Sequence, residues 1–471
     1  MAAEPVTPGR CLVSHSPTMQ ASHLGRTAGV LAAASGLLWF GIAVAWVSGD
    51  FTIFPDSSGY EASQGFPVSF VGDAWRAWPT PLLFSLTPDY RVQSLLQTLL
   101  YAAGWTAIIW VYLWRKIWWN AALSSAALVG LALTPLYLQW TLTILSEATT
   151  LGLVLLGVAA AQATADRFPA RRRPQLSVWV LGCASVALLG LAAINRVTLV
   201  MPMIAIGATL VILGWRHKAR TVSGVLAVLL VVTLGYTVWL NGRIDEHWGV
   251  SRSATYYGYL TASETDLQTI LADPLFDYMT AIGPSCLAGL RASAGGVAAP
   301  DPYQVRGVLS TECSEGVAWL EEHFQPEYLK FVATHPTYTA RFLLHYLPQV
   351  GDTGGYGAIT SVLPVSVANL YSSSTDGAHA YRPIYLWLAV WLGSAVVMTR
   401  MLMRRRISAT QALVPLATST AGVASLILTV LTLNSEVVRI ASQSTALLIS
   451  STILILAAMG DSLSQRSSVI R

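Results

Sequence analysis

The sequence predicts an all-α polytopic membrane protein, and three observations predict it. Hydrophobic residues make up 54% of the chain and charged residues only 11%, whereas soluble domains carry about 25% charged residues. The apolar residues are gathered into runs long enough to cross a bilayer. The Lys and Arg residues lie mostly in short segments between those runs. No basic block with interleaved aromatic residues is present, so nucleic acid is not a predicted partner.

About ten apolar runs are long enough to cross the roughly 30 Å hydrocarbon core as helices. The first run, residues 28–48, follows a polar segment, residues 1–27, that is too long and polar for a signal peptide. We therefore interpret residues 1–27 as a cytoplasmic N-terminal tail. The other predicted spans are residues 93–114, 120–138, 143–163, 177–194, 198–214, 222–240, 383–399, 411–432 and 443–459.

The positions of Lys and Arg predict which helix ends face the cytoplasm. The basic clusters all fall on one side of the predicted spans, and by the positive-inside rule that side is cytoplasmic. An even number of spans then puts both termini in the cytoplasm of a multi-pass cell-membrane protein. The clusters are Arg115–Lys116, Arg167 with residues 171–173, Arg216 to Arg220, and Arg400 with residues 404–406.

The opposite, extracytoplasmic side receives two large loops. The first covers residues 49–92 and the second residues 241–381. The chain therefore divides into an N-terminal membrane module, residues 28–240, which contains the first loop, then the second loop, then C-terminal membrane helices with a short cytoplasmic tail, residues 382–471.

The second loop is predicted to be partly helical. Apolar spacing between two prolines predicts a helix from Thr337 to Leu347, and another short helix is predicted from Pro326 to Ala333. Cys286 and Cys313 both lie in this loop, on the side where oxidation is permitted. They could form a disulfide or remain two free thiols.

Ionisable residues occur at the outer ends of the predicted spans, while the helix middles are almost free of charge. Glu147 begins the fourth span, Arg196 lies in the turn between the fifth and sixth, and Glu436 and Arg439 precede the last. Charges near hydrocarbon normally face protein or water, and they often mark function. This distribution favours chemistry at the outer face over transport through the bundle.

Each of these residues also has a purely structural interpretation. Arg196 and the Glu436/Arg439 pair could pair and snorkel at the interface, and Glu147 could cap its helix. In the first loop, Asp73 has the spacing of a local ion pair with Arg76. Asp56 follows a proline and precedes Ser-Ser-Gly, which is typical of a turn.

Five short motifs raise the functional interpretation. They are PDSSGY at 55–60, SEATTLGL at 146–153, NRVT at 195–198, THPTYTARFLLHYL at 334–347 and SEVVRIA at 435–441. Their order along the chain resembles that of GT-C-type polyprenyl-phosphate-dependent glycosyltransferases, the superfamily of protein-mannosyltransferase-like and aminoarabinose-transferase-like enzymes. The resemblance covers most of the chain as topology and implies a GT-C-like bundle.

The resemblance implies a lipid-linked sugar donor, an active site at the outer face and a first-loop Asp as catalytic base, which here is Asp56. A base must reach the acceptor hydroxyl, and cations must stabilise the departing phosphate. We assign Arg196 and Arg439 to the phosphate and Glu147 to orienting the acceptor or an Arg. If one carboxylate activates the acceptor for direct attack, the reaction is a single displacement that inverts the configuration of the sugar. Further candidates for the acceptor side or for a second acid are Glu61, Asp73, His335 and Glu436.

No cofactor is predicted. No CxxC or His/Cys spacing suggests zinc, and a lone first-loop Asp in PDSSGY mildly favours catalysis without a divalent ion. The predicted partners are the polyprenyl-phosphate sugar, a glycan, lipid or protein acceptor outside the cytoplasm, and the bilayer.

Three other functions remain open at this level. A carrier or flippase of lipid-linked saccharides would need polar sites at mid-membrane or inverted repeats. An envelope oligosaccharide ligase or polymerase would depend on arginines of the second loop. A non-catalytic envelope scaffold would not need the loop acids. The second-loop arginines that are compatible with a ligase or polymerase are Arg243, Arg252, Arg291, Arg306 and Arg341.

Overall fold

The computed structural model describes residues 17–49, 52–53, 57–62, 70–72, 76–168, 176–247, 273–287, 313–347, 383–432 and 437–470. In this part of the chain the regular structure is helical, apart from one isolated β-bridge. The helices before residue 250 are α1 (Pro17–Ser48), α2 (Ser57–Ala62), α3 (Pro79–Phe84), α4 (Tyr90–Leu113), α5 (Trp118–Ala132), α6 (Pro135–Leu142), α7 (Glu147–Arg167), α8 (Leu176–Asn195), α9 (Val200–Arg216) and α10 (Arg220–His247). Those after it are α11 (Asp273–Ile282), α12 (Ser314–Thr334), α13 (Pro336–Tyr346), α14 (Pro383–Met403), α15 (Ala409–Thr432) and α16 (Val437–Ile470).

The fold is that of a multi-pass membrane protein. Within the described ranges, nine helices are long and apolar enough to cross a bilayer, and a bent pair of helices would make ten if it crosses as one span. The nine are α1, α4, α7, α8, α9 with its preceding turn, α10, α14, α15 and α16. The prediction of an all-α membrane bundle is confirmed.

The predicted span 120–138 is a broken helix in the structure. Helices α5 and α6 meet at an angle of 53°, and Pro135 opens α6. Proline cannot donate a backbone hydrogen bond, so it is favoured where a new helix starts. Hydropathy alone does not report such a bend, because the residues on both sides of it are equally apolar.

In the second loop, one helix prediction is confirmed and one has wrong bounds. The helix predicted from Thr337 to Leu347 is α13. The short helix predicted from Pro326 to Ala333 belongs instead to the longer α12, which contains Pro326 in its interior. The lost backbone hydrogen bond is offset by a continuous buried face. That face consists of Leu320, Phe324, Tyr328 and Phe331.

Helices α4 and α7 pack closely against each other. A Cβ atom added at Gly152 would lie 2.6 Å from the carbonyl oxygen of Leu100, and one added at Gly104 would lie 2.9 Å from that of Gly152. Only glycine permits this approach of the two backbones, as is common in membrane bundles. The contact determines where α7, and therefore Glu147, lies relative to α4.

Hydrogen bonds define two ends of the bundle. At the end that carries the basic clusters, which we call the basic end, Thr27 Oγ1 donates to the carbonyl of Lys116 at 3.1 Å. There Gln162 Nε2 also donates to the carbonyl of Thr410 at 3.0 Å. At the opposite end, which we call the loop end, α2, α3, α12 and α13 pack on the helix termini.

The helices of the second loop are anchored on the membrane bundle. Tyr328 of α12 donates through its hydroxyl to the carbonyl of Leu431 at the end of α15. Burial raises the pKa of Tyr328, so this phenol stays a neutral donor over the physiological range. Cys286 and Cys313 form a disulfide with Cα atoms 5.5 Å apart, and this disulfide lies in the same apolar cluster.

The disulfide tests the orientation of the bundle. In a Cys11→Ser/Cys183→Ser variant, we expect a membrane-impermeant maleimide on intact cells to label Cys286 and Cys313 only after reduction. Reduction should also lower the free energy of unfolding by about 3 kcal/mol, since the bond constrains the unfolded chain. Gel shift and chemical denaturation measure the two effects.

The matched control retains Cys11 alone, in the predicted cytoplasmic tail. That variant should be labelled only after the cells are permeabilised. Labelling of Cys11 on intact cells, or of the loop cysteines without reductant, would contradict the assigned orientation or the disulfide.

Candidate active site at the loop end of the bundle

A buried ion pair joins the start of α7 to the end of α8. Glu147 is the first residue of α7, and its side chain is completely buried. Arg196 directly follows α8, and its Nη2 donates to Glu147 Oε1. A carboxylate at a helix N-terminus and a cation at a helix C-terminus both complement the helix dipoles. The structure places Glu147 at a helix start and Arg196 in the turn after α8, and it brings the two side chains together.

The first loop docks on the residues immediately before Glu147. Ser57 Oγ donates to the carbonyl of Ile144 at 2.7 Å, and Tyr60 Oη donates to Ser146 Oγ at 2.9 Å. Ser57 and Tyr60 are both buried. Asp56, the predicted base, lies outside the described residues. The bond from Tyr60 to Ser146 therefore shows that the PDSSGY segment meets the SEATTLGL segment.

The turn that precedes Glu147 is held by the backbone and by α4. Thr52 and Thr143 form the parallel β-bridge, with Ile144 N donating to the carbonyl of Thr52 at 3.2 Å. Gln97 Nε2 donates to the carbonyls of Thr141 and Thr143, each at 2.8 Å. Backbone groups at membrane depth must be satisfied within the protein. These bonds satisfy the carbonyls that the end of α6 leaves open.

Arg76 adds a second cation beside the first loop. Its guanidinium lies over the ring of Tyr60, 5.4 Å from the ring centroid, within the range of a cation–π contact. A Cβ added at Gly59 would lie 3.2 Å from Arg76 Nε, so the guanidinium also lies against the backbone of α2. The sequence spacing predicts a local pair of Arg76 with Asp73, which lies outside the described residues. Arg76 is one of two basic residues in a predicted loop with five acidic ones, and this is the signal by which the sequence could single it out.

Contacts on two sides hold the turn that contains Arg196. The backbone N–H of Thr80, in α3, donates to Asn195 Oδ1 at 3.3 Å. On the other side, Ser425 Oγ of α15 donates to the carbonyl of Thr198 at 2.6 Å and lies 2.8 Å from Ser444 Oγ of α16. The Arg196 turn therefore connects the first loop with the last two helices.

Several buried polar atoms around this ion pair have no hydrogen-bond partner in the described part of the chain. An unsatisfied buried polar atom costs about 1–3 kcal/mol, so a group of them calls for an explanation. Both polar atoms of the Gln443 amide are in this state, although the residue is only 1% exposed. The others near the pair are Thr149 Oγ1, Thr150 Oγ1, Asn195 Nδ2, Arg196 Nε and Thr198 Oγ1.

The remaining predicted residues are placed as follows. Asp73 and Glu436 lie outside the described residues, as does the side chain of Glu61, although its backbone belongs to α2. Arg439 lies in the first turn of α16, and its side chain is likewise outside the description. Gln443 follows one helical turn later.

His335 separates α12 from α13, as predicted for a helix-boundary residue. Its ring is stacked on Phe331 with centroids 4.2 Å apart, and its Nδ1 lies 3.0 Å from the Phe331 carbonyl. These contacts account for its position structurally. Among the described residues, no group of three His, Cys, Asp or Glu side chains could hold a metal ion.

Comparison with known proteins supplies no relative. No protein-family model, curated protein or solved structure matches this chain. The function is therefore argued from the residues and geometry of the site itself.

The ion pair predicts a strong coupling between its two members. Replacing Arg196 by Met should lower the free energy of unfolding by about 3 kcal/mol, because Glu147 would keep a buried charge without its partner. The Glu147→Gln/Arg196→Met double variant should cost less than the sum of the single changes, by about 1–3 kcal/mol. Denaturation in detergent micelles measures the cycle.

Lys330→Met is the matched control. Lys330 pairs with Glu327 at 3.1 Å, but Lys330 is exposed and Glu327 only half-buried, so the loss of this pair should change stability little. Additive effects of the Glu147 and Arg196 changes would show that the buried pair does not hold α7 to α8.

Proposed function

We propose that this protein is a GT-C-type glycosyltransferase that moves a sugar from a polyprenyl phosphate to an acceptor outside the cytoplasm. One observation carries the proposal. The segment directly after Asp56 docks, through Ser57 and Tyr60, on the residues directly before Glu147, and Glu147 is paired with Arg196. Three motifs that are distant in sequence thus meet at one end of a membrane bundle.

The orientation of the bundle supports an extracytoplasmic site. The basic clusters lie at the end opposite to Glu147, and the positive-inside rule makes their end cytoplasmic. Ten crossings, with α5 and α6 counted as one, then put both termini in the cytoplasm. The Cys286–Cys313 disulfide lies at the loop end, which agrees with an oxidising compartment there.

The proposed reaction is a single displacement at the anomeric carbon. Asp56 takes the proton from the acceptor hydroxyl while the acceptor oxygen forms a bond to that carbon. The bond from the carbon to the phosphate oxygen breaks, and polyprenyl phosphate leaves with the electron pair. Attack through the acceptor inverts the configuration. No general acid is required, because the phosphate is a good leaving group.

Arginines would stabilise the leaving phosphate. Arg196 directly follows α8 and Arg439 belongs to the first turn of α16, and Arg76, over Tyr60, is a third candidate. Guanidinium groups bind phosphate through paired N–H donors. Glu147 would hold the Arg196 guanidinium in one orientation, with Arg196 Nε buried and without a partner among the described residues. A preorganised donor of this kind costs no reorganisation in the transition state.

Asp56 is the first residue to test. Asp56→Asn should reduce sugar transfer from a lipid donor by about a hundredfold or more, because the amide cannot accept the proton. Transfer is measured with purified protein, polyprenyl-phosphate sugar and cell-envelope acceptor, at matched protein levels and thermal stability.

Asp89→Asn is the matched control. Asp89 lies at the same end and caps α4, with its carboxylate accepting from the N–H of Arg91 at 2.8 Å. Asparagine caps a helix equally well, so activity should be preserved. Full activity of Asp56→Asn would remove the proposed base, and equal losses in both variants would point to a nonspecific charge effect.

The proposed contacts of Arg196 and Arg439 with phosphate predict that replacing either arginine lowers the affinity for the donor. Arg196→Ala and Arg439→Ala should each weaken binding of the polyprenyl phosphate by about tenfold, since each removes charge-assisted hydrogen bonds to phosphate. Native mass spectrometry in detergent measures the bound fraction. Because Arg196 also supports Glu147, Arg196→Lys should recover stability more fully than donor affinity.

Arg341→Ala supplies the control, since Arg341 is an exposed arginine of α13. Normal donor binding by both test variants would show that these arginines do not hold the phosphate. A larger effect at Arg341 would favour the ligase or polymerase, which depends on second-loop arginines.

A second candidate function is a carrier of lipid-linked saccharides. The 53° break between α5 and α6 favours it, because broken helices and buried polar groups accompany transport sites. Gln139 of α6 and Gln443 of α16 are both buried and carry amide atoms without a partner in the described ranges. Transport of the saccharide by proteoliposomes of Asp56→Asn, without transfer to an acceptor, would support the carrier.

A further inference from the structure

A second polar pocket lies at the basic end of the bundle. It has a volume of about 360 Å³ and is formed where α4 and α7 end and α15 begins, against the middle of α16. Helix α7 has 21 residues, so at about 1.5 Å per residue its two ends are about 30 Å apart. The pocket at Arg167 is therefore separate from the site at Glu147. The polar and aromatic side chains around it that matter here are Trp110, Tyr112, Trp114, Arg115, Lys116 and Gln162.

The charge of the pocket favours an anion. Three cations line it, Arg115, Lys116 and Arg167, against one carboxylate, Asp166. In the described part of the chain, no carboxylate lies within ion-pair distance of either arginine. An anion placed here would therefore meet cations that are not already neutralised by direct pairs.

Lys116 is the most buried of these cations. Its side chain is 12% exposed, and its Nζ lies 3.9 Å from Asp461 Oδ2. The other oxygen of Asp461 already accepts from Ile117 N at 2.9 Å and from Asn120 Nδ2 at 3.3 Å. Burial lowers the pKa of Lys116, and Asp461 and Asp166 only partly oppose this effect. A bound anion would favour the charged ammonium.

Two polar side chains of the pocket have open hydrogen-bonding positions. Gln162 is 3% exposed, and its Nε2 donates to Asp166 Oδ1 at 2.8 Å and to the Thr410 carbonyl at 3.0 Å. These bonds orient the amide and leave Oε1 as an acceptor without a partner among the described residues. Tyr112 is 9% exposed, and its hydroxyl also has no hydrogen-bond partner among the described residues. The pocket thus offers a carbonyl acceptor and a phenol donor beside its cations.

Two tryptophans line the pocket at the end of α4. Trp110 and Trp114 are stacked with ring centroids 5.5 Å apart, and Trp114 is 40% exposed. Tryptophan at the end of a membrane helix is typical of the headgroup level. Basic pockets between membrane helices at this level are suited to phosphate-bearing lipid headgroups.

We propose that this pocket binds the phosphate headgroup of an anionic membrane lipid, through the cations of α4 and α7. Arg115 and Arg167 are both exposed and bear on the phosphate from two helices, while Lys116 lies deeper. The Gln162 carbonyl accepts from a hydroxyl of the headgroup, so a headgroup with free hydroxyls, such as glycerol, fits better than choline. A volume of about 360 Å³ is at the small end of ligand pockets, as suits a headgroup. The proposal does not depend on the function of the site at Glu147.

The test compares two pairs of exposed arginines at the same end of the bundle. Full-length protein is placed in nanodiscs of phosphatidylcholine with or without phosphatidylglycerol, and retained lipid is counted by native mass spectrometry. Arg115→Gln/Arg167→Gln should weaken retention of phosphatidylglycerol by about tenfold. The control Arg216→Gln/Arg404→Gln removes the same charge outside the pocket and should change retention less than twofold. Equal losses in both pairs would overturn the pocket in favour of diffuse surface attraction.

A second variant and a soluble probe complete the experiment. Tyr112→Phe removes only one hydroxyl, leaves every charge in place, and should weaken retention of phosphatidylglycerol measurably. Glycerol 3-phosphate tests the source of the phosphate ester. If it displaces the lipid only at high concentration, the lipid assignment stands. If it binds tightly while the lipid is not retained, or if neither binds, the lipid assignment is wrong.

Discussion

The architecture of the loop end depends on the ion pair between Glu147 and Arg196. A carboxylate with a completely buried side chain is tolerated only with a fixed partner of opposite charge. The pair therefore requires that the first residue of α7 and the residue after α8 meet at one level of the membrane. The first loop completes this arrangement, since Tyr60 bonds to Ser146, the residue next to Glu147. Any displacement of α7 against α8 would expose or separate the charges.

The second constraint is that backbone groups inside a membrane must be satisfied. The break between α6 and α7 leaves carbonyls open, and polar side chains on one face of α4 donate to them. Gln97 donates to Thr141 and Thr143, and Ser94 donates to Thr141. The close approach of α4 to α7 at Gly104 and Gly152 makes these bonds possible. An irregular segment can thus lie at the proposed active site with the carbonyls of Thr141 and Thr143 satisfied.

The two ends of α7 are chemically different, and both suit phosphate. At the loop end, Arg196 is largely buried and is held by the Glu147 carboxylate, so the direction of its guanidinium is determined. At the basic end, Arg115 and Arg167 are exposed around a pocket, so they attract an anion from the membrane surface. The first arrangement is suited to stabilising charge that develops during a reaction. The second is suited to holding a ligand that is already charged.

Local features of the sequence determined the membrane helices and where their charged residues fall. Hydropathy and proline positions are properties of neighbouring residues, so the opening of α7 at Glu147, the turn at Arg196 and helix α13 could all be predicted. The bend between α5 and α6 could not, because apolar residues continue through it. The continuation of α12 through Pro326 depends on packing of a buried face, which spacing alone does not reveal.

The candidate site was predictable as a set of residues but not as a set of contacts. The sequence by itself determined that Glu147 and Arg196 belong to the same end of the bundle, because alternating spans and basic clusters sort helix ends, and it predicts Asp56 at that end too. Only the tertiary structure decided that Arg196 pairs with Glu147 and that Arg76 lies over Tyr60. It also decided that Arg115 and Arg167 line one pocket. Each of these contacts joins residues far apart in the chain, and the packing of helices in three dimensions brings them together.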